Sequence, residues 1–133
     1  MRSDVHRFSL RVYYEDTDFS GVVYHANYLR FLERGRTEML RDLGVDQAAL
    51  FVGDAPVAFA VARMEIEFRR PARMDDLLSV ETRVTAVGGA SLTMHQALLC
   101  GPDILVDATV RVAAVSRGRA VRLPGELVTR LGP

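Results

Sequence analysis

One segment of the sequence, residues 14–29, brings together side chains that could catalyse a hydrolysis. Asp16 and Asp18 are two residues apart, and His25 follows Asp18 by seven. A helical pattern begins at about Tyr24, and a carboxylate beside a helix N-terminus is kept ionised by the helix dipole. Such a carboxylate can attack a carbonyl carbon or take a proton from water. We therefore predict that Asp18 is a nucleophile or general base, with a turn or cap role as its alternative, and that Asp16 is structural.

Backbone amides at the start of the predicted helix are the second candidate feature. The N–H groups of a first helical turn have no acceptor within the helix, so they can stabilise negative charge that develops on an oxygen. The amides of Tyr24 and His25 are predicted to take this role. The His25 side chain is predicted to orient Asp18 or to carry a proton; its alternative is a partly buried histidine that holds the loop.

From Asp16 to Leu29 the sequence reads DTDFSGVVYHANYL. This run resembles the active-site segment of the 4-hydroxybenzoyl-CoA thioesterase-like hotdog proteins, and most closely that of the Tol-Pal-associated acyl-CoA thioesterases. The likeness continues through residues 31–38, 70–78 and 121–124, and so covers nearly the whole chain. The resemblance implies that Asp18 is catalytic and that Tyr14 and His25 contribute to activity. It also implies a homodimer or homotetramer with sites at the subunit interface.

Periodicity predicts the elements that position these residues. Residues 8–14 alternate between apolar and polar, as in a half-buried strand. From residue 28 to residue 43, apolar or small residues recur at spacings of three and four, which predicts one long amphipathic helix. Gly35 is unfavourable within a helix, so its backbone is expected to lie close against the sheet. Four further strands, joined as antiparallel hairpins, are predicted at 57–69, 77–87, 91–100 and 104–115.

The predicted fold is therefore a single α+β domain over residues 1–133, in which a curved antiparallel sheet wraps one long helix. This is the hotdog arrangement, and the periodicity and the resemblance indicate it independently. A short terminal helix is expected at residues 126–131, after Pro124.

Composition narrows the function classes. The 133 residues include 17 basic and 17 acidic side chains, so no excess of one charge indicates nucleic acid or an anionic membrane as a partner. Cys100 is the single cysteine, which excludes an internal disulfide and a cysteine-based zinc cluster. His6 and His95 lack acidic partners at ligand spacing, so no metal is expected. No signal peptide or membrane-spanning run is recognised, and a cytoplasmic location is expected.

Arg70 and Arg73 flank Pro71 at a predicted strand end and are candidates for binding the phosphates of coenzyme A, with a solvated basic turn as the alternative. The predicted activity is hydrolysis of acyl-CoA, with acyl carrier protein as another possible donor, and it needs no cofactor beyond the substrate's own CoA. Two alternatives stay open: a hotdog dehydratase or hydratase, and a non-catalytic module that binds acyl thioesters or assembles with a partner.

Overall fold

The computed structural model describes residues 4–131. One helical turn of 3-10 type, at Tyr14–Asp16, precedes the long helix. The strands are β1 (His6–Arg11), β2 (Ala58–Phe68), β3 (Leu77–Val87), β4 (Ser91–Cys100), β5 (Asp103–Ser116) and β6 (Arg119–Ala120), and the α-helices are α1 (His25–Asp42), α2 (Gln47–Phe51) and α3 (Gly125–Leu131). The predicted long helix and the four later strands are confirmed. The first strand was predicted to reach Tyr14 but ends at Arg11.

The strands form one antiparallel sheet in the order β1-β3-β4-β5-β2, and β6 pairs with the end of β5. The predicted hairpins are correct for β3-β4 and β4-β5. The prediction is wrong for β2, which pairs with β5 from Ala58↔Val115 to Phe68↔Val106 and forms an edge of the sheet. Alternation reports which face of a strand is buried but does not identify the neighbouring strand.

Helix α1 lies on the inner face of the sheet and packs mainly against β1, β3 and β4. Its buried residues recur at intervals of one and three and form a single face: Tyr28, Phe31, Leu32, Gly35, Arg36, Met39 and Leu40. A Cβ atom at residue 35 would overlap Val80 Cγ1 on β3. The predicted close approach at Gly35 is confirmed, since only a residue without a side chain lets the helix lie this close to the sheet.

A buried polar network joins the helix to the sheet. Gln96 on β4 is fully buried, and its Nε2 donates to Leu32 O at 2.9 Å and to Thr82 Oγ1 at 3.0 Å. Its Oε1 accepts a hydrogen bond of 3.0 Å from Arg36 Nη1. Because unpaired polar groups in a core cost free energy, this network fixes the position of the helix along the sheet.

The inner face of β2 is poorly covered, because α1 lies toward the other side of the sheet. Five apolar side chains share this face, and we call them the β2 strip: Phe59, Val61, Met64, Ile66 and Phe68. Val61 is 46% exposed and Phe68 is 47% exposed. The register of β2 against β5 shifts between Val61 and Arg63. The fold therefore leaves an open apolar surface between α1 and its edge strand.

Within residues 4–131, no helix has the length and apolarity needed to cross a bilayer.

Candidate active site

Asp16 joins the three segments that build the site. Its carboxylate is buried; Oδ2 accepts a hydrogen bond of 2.8 Å from Tyr13 N, and Oδ1 accepts one of 2.8 Å from Asn27 Nδ2. Its carbonyl oxygen accepts a hydrogen bond of 2.9 Å from Tyr24 N. One residue therefore holds the segment after β1 against the first turn of α1, as its predicted structural role requires.

Residues 17–23 form a tight loop that carries Asp18. Thr17 and Val23 pair as an isolated antiparallel bridge, and Asp18 N donates to Val22 O at 3.0 Å. Gly21, with φ +80°, adopts a left-handed conformation that favours glycine, and its N–H donates to Asp18 O at 3.0 Å. The loop is thus closed by its own backbone.

The connection between β2 and β3 supports this loop from the other side. Val23 N donates to Ala72 O at 2.8 Å, and Ala72 N donates to the hydroxyl of Tyr28 at 2.9 Å. Val22 also forms an isolated bridge with Arg73. The loop and the start of α1 are therefore fixed to the same short segment.

The Asp18 carboxylate is exposed at the tip of this loop. Its Oδ1 accepts hydrogen bonds from Ser20 N at 2.9 Å and from Ser20 Oγ at 2.5 Å. These bonds from Ser20 lower the pKa of Asp18 below its ordinary value, and the charge of His25 acts in the same direction. Among residues 4–131, no other residue donates a hydrogen bond to Oδ2. One oxygen is held in place and the other is free to react.

Sequence reasoning missed Ser20. The spacing in Asp18-Phe19-Ser20 is that of an Asx turn, in which an aspartate accepts a hydrogen bond from the backbone two residues later. That signal could have identified Ser20 as the residue that holds and ionises the carboxylate.

The two predicted oxyanion donors, the amides of Tyr24 and His25, differ in their hydrogen bonding. Tyr24 N already donates to Asp16 O, so this amide is not free, contrary to its predicted role. The helix begins at His25, and first-turn amides have no acceptor within the helix. His25 N and its neighbour Ala26 N are therefore the amides at the helix start that the fold leaves as candidates.

The imidazole of His25 is exposed at the helix start. Its ring centroid lies 4.8 Å from that of Tyr24 and 6.5 Å from that of Phe68 at the end of β2. His25 lines a depression of about 240 Å³ together with Phe68 and Arg70.

Tyr14 lies on the one-turn helix and is 82% exposed. It lines an open depression of about 710 Å³ with Asp18, Phe19 and Met74. The structure thus brings Tyr14 and Asp18 to one surface, although Tyr14 does not lie on a strand as predicted. Phe19 is fully exposed and Met74 is 54% exposed, so the depression has apolar walls that a single chain leaves open to solvent.

Of the two predicted phosphate-binding arginines, Arg70 lines the depression at His25, and Arg73 directly precedes Met74, which lines the depression at Asp18. Arg70 Nη1 is 3.4 Å from Asp103 Oδ1, so the Asp103 carboxylate partly neutralises the charge of the Arg70 guanidinium. The backbone N–H of Arg73 donates to Asp76 Oδ2 at 2.9 Å, whereas its exposed guanidinium has no ion-pair partner in the described part of the chain. Arg73 is therefore the more available cation.

Two histidines have acidic partners that their local sequence does not reveal. His6 Nε2 lies 2.7 Å from Asp42 Oδ2, and His95 Nε2 lies 2.6 Å from Asp107 Oδ1. Each pair joins different elements, so spacing along the chain could not predict it.

Known proteins share both the sequence and the fold. Residues 20–106 match the family model described as the thioesterase superfamily. The chain is 48% identical over 112 residues to the acyl-CoA thioesterase YbgC of Haemophilus influenzae, covering 84% of this chain and 82% of that protein. It is 45% identical over 116 residues to the acyl-CoA thioester hydrolase YbgC of Escherichia coli O6:H1, covering 86% and 85%.

Solved structures give the same result for the fold. The crystal structure of a probable thioesterase from Bartonella henselae superposes with a TM-score of 0.88 at 48% identity, covering 91% of this chain and 100% of that one. A 1,4-dihydroxy-2-naphthoyl-CoA thioesterase from Synechocystis superposes with a TM-score of 0.86 at 21% identity, covering 96% of each chain, and so supports the fold alone. The predicted hotdog fold is confirmed, and the chain belongs to the thioesterase superfamily, alongside the YbgC acyl-CoA thioesterases.

Proposed function

We propose that this protein is an acyl-CoA thioesterase that hydrolyses the bond between an acyl group and the sulfur of coenzyme A. The enzyme class is that of its YbgC relatives, two of which are 45% and 48% identical to it over most of the chain. The observation that carries the assignment is the exposed Asp18 carboxylate, which Ser20 holds by two hydrogen bonds in the loop that leads into α1. A screen of short, long and aromatic acyl-CoAs, with detection of the released thiol, tests the activity and identifies the acyl class.

The proposed reaction places the thioester carbonyl between Asp18 and the first turn of α1. Asp18 Oδ2 attacks the carbonyl carbon or takes a proton from the attacking water. The amides of His25 and Ala26 stabilise the negative charge that develops on the carbonyl oxygen. Tyr14 and the imidazole of His25 complete the site beside the leaving sulfur. Water, a carboxylate and backbone amides suffice for this scheme, so no cofactor is proposed.

Asp18→Asn should lower kcat/KM by about 10²- to 10⁴-fold, the usual span for loss of a positioned base, and by more if Asp18 is the nucleophile. The amide keeps the size and the turn-forming capacity of aspartate, so the unfolding midpoint should change little. Steady-state hydrolysis of the best substrate from the screen and thermal unfolding measure the two quantities.

The matched control is Glu15→Gln, which removes a neighbouring exposed carboxylate that lines the same depression. It should keep near-normal turnover. If Asp18→Asn also kept near-normal turnover, the catalytic assignment would be wrong and the non-catalytic binding alternative would be favoured.

Ser20→Ala should shift the acid limb of the pH–rate profile to higher pH. The serine hydroxyl is the largest cause of the lowered pKa of Asp18, so its loss raises that pKa toward the ordinary value. A carboxylate with a raised pKa becomes protonated, and hence inactive, at a higher pH. The measurement is kcat/KM as a function of pH, and Ser9→Ala, on the outer side of β1, serves as the control. An unmoved acid limb would mean that Asp18 does not control it.

Arg73, and to a lesser extent Arg70, is proposed to bind the phosphates of the CoA nucleotide. Arg73→Ala should raise KM for an acyl-CoA more than Arg70→Ala, because Arg70 is already paired with Asp103. Neither change should affect hydrolysis of a truncated acyl-pantetheine, which lacks those phosphates. Equal effects on both substrates would return the two arginines to the role of a solvated basic turn.

A homodimer, or a tetramer built from dimers, is proposed as the active form. β2 is an edge strand with apolar residues exposed beside it, and such an edge is satisfied when a second copy extends the sheet. The second copy would also close the open depressions at Asp18 and His25. Sedimentation at assay concentration should show a dimer or larger species; an active monomer would contradict the proposal.

Three further points stay predictions. The sequence predicts a cytoplasmic location, the resemblance implies a link to the Tol-Pal envelope system, and acyl carrier protein stays an alternative donor to CoA. Including an acyl carrier protein thioester in the substrate screen tests the donor, because a CoA-specific enzyme would leave it intact.

A further inference from the structure

A buried arginine lies on α1 beside the exposed β2 strip. Arg36 is 8% exposed, and its single hydrogen bond among residues 4–131 is the one from Nη1 to Gln96 Oε1. A guanidinium has five N–H donors, so most of them lack an acceptor in the described part of the chain. Glu33, one helical turn earlier, is exposed and influences Arg36 electrostatically, but no described carboxylate lies at ion-pair distance from it.

The unpaired donors of Arg36 open onto a cavity rather than into the core. The only described side-chain nitrogen or oxygen atom that is both sealed from solvent and unpartnered is His6 Nδ1, so the free nitrogens of Arg36 reach open space. Arg36 lines a cavity of about 300 Å³ between α1 and β2, whose other walls include Phe59, Val61 and the exposed Glu33. Arg36 as a whole keeps little contact with solvent, and an anion that enters this cavity would pair with the nitrogens that still reach it.

The β2 strip connects this cavity to the candidate active site. At one end, the Phe68 ring lies 6.5 Å from the His25 ring and 5.6 Å from the Tyr28 ring. At the other end, Phe59 and Val61 line the Arg36 cavity. His25 and Arg36 are 11 residues apart on one helix, a separation of about 16 Å at 1.5 Å per residue. An apolar surface therefore runs from the proposed oxyanion donors to a buried cation.

We propose that Arg36 binds a carboxylate at the far end of the acyl group, so that the preferred substrates are CoA thioesters of dicarboxylic acids. The thioester would lie at the start of α1, the methylene chain along the β2 strip, and the terminal carboxylate against the guanidinium. Guanidinium groups pair with carboxylates in a fixed, often bidentate geometry, which explains why an arginine suits this position. The proposal rests on the proposed thioesterase function and adds the substrate class.

Calorimetric titration of non-hydrolysable CoA thioethers tests the binding site without any catalysis. S-(11-carboxyundecyl)-CoA should bind the wild-type protein about ten- to a hundred-fold more tightly than S-dodecyl-CoA, the range expected for a charge-assisted hydrogen bond. Arg36→Met, which keeps the length and apolar bulk, should abolish that difference, and Arg36→Lys should retain part of it. Arg34→Met, at an exposed arginine on the same helix, should leave the difference unchanged.

Kinetics then links the site to turnover. The ratio of kcat/KM for ω-carboxyundecanoyl-CoA, which has the same number of carbons, to that for dodecanoyl-CoA should exceed one in the wild type and fall by about ten- to a hundred-fold in Arg36→Met. Equal binding of the two thioethers by the wild type, or an equal loss for both substrates in Arg36→Met, would overturn the proposal and leave Arg36 a purely structural cation. If no thioester were hydrolysed, the proposed function would fail while calorimetry still reported on Arg36.

Discussion

The candidate site depends on one constraint. The first turn of α1, whose leading amides have no acceptor within the helix, must be fixed next to the loop that carries the exposed Asp18 carboxylate. Asp16 supplies this constraint, since its two carboxylate oxygens and its carbonyl oxygen bind Tyr13, Asn27 and Tyr24, one on each flank of the loop and one in the helix. Because Asp16 uses the Tyr24 amide, the first free donor is moved to His25. Asp16 and Asp18 are thus alike in chemistry but opposite in role: the buried one builds the frame, and the exposed one faces the solvent.

The position of α1 on the sheet has a second consequence. Gly35 lets the helix lie directly on Val80, and Gln96 donates a hydrogen bond to the helix backbone at Leu32. These contacts hold the helix over β1, β3 and β4. The inner face of β2 is consequently left open. The contacts that stabilise the core therefore also create the apolar surface that ends at Phe68 beside His25, and the same network places Arg36 at its far end.

Much of this architecture could be predicted from local sequence. The strands from Leu77 onward and the helix follow from periodicities of two and 3.6, and the close contact at Gly35 follows from the cost of glycine within a helix. Features that depend on distant pairing could not be predicted. The partner of β2, the hydrogen bond between Arg36 and Gln96, and the pairing of His6 with Asp42 each join residues dozens of positions apart. The hydrogen bond from Tyr24 N to Asp16 O could not be predicted for a different reason. A sequence pattern locates the first residue of a helix only to within a residue or two.

The hydrogen bonds from Ser20 bear on the choice between nucleophile and general base. A general base is most effective when its pKa lies near the working pH, and the Ser20 bonds move the pKa of Asp18 in the opposite direction. A nucleophilic carboxylate has a different requirement, because it forms a mixed anhydride with the acyl group and must later leave as a carboxylate when water attacks. Lowering its pKa makes it a better leaving group, although it also makes the carboxylate a weaker nucleophile. We therefore infer that the Ser20 hydrogen bonds favour the covalent route through the departure step, in which Ser20 Oγ would donate to the leaving carboxylate.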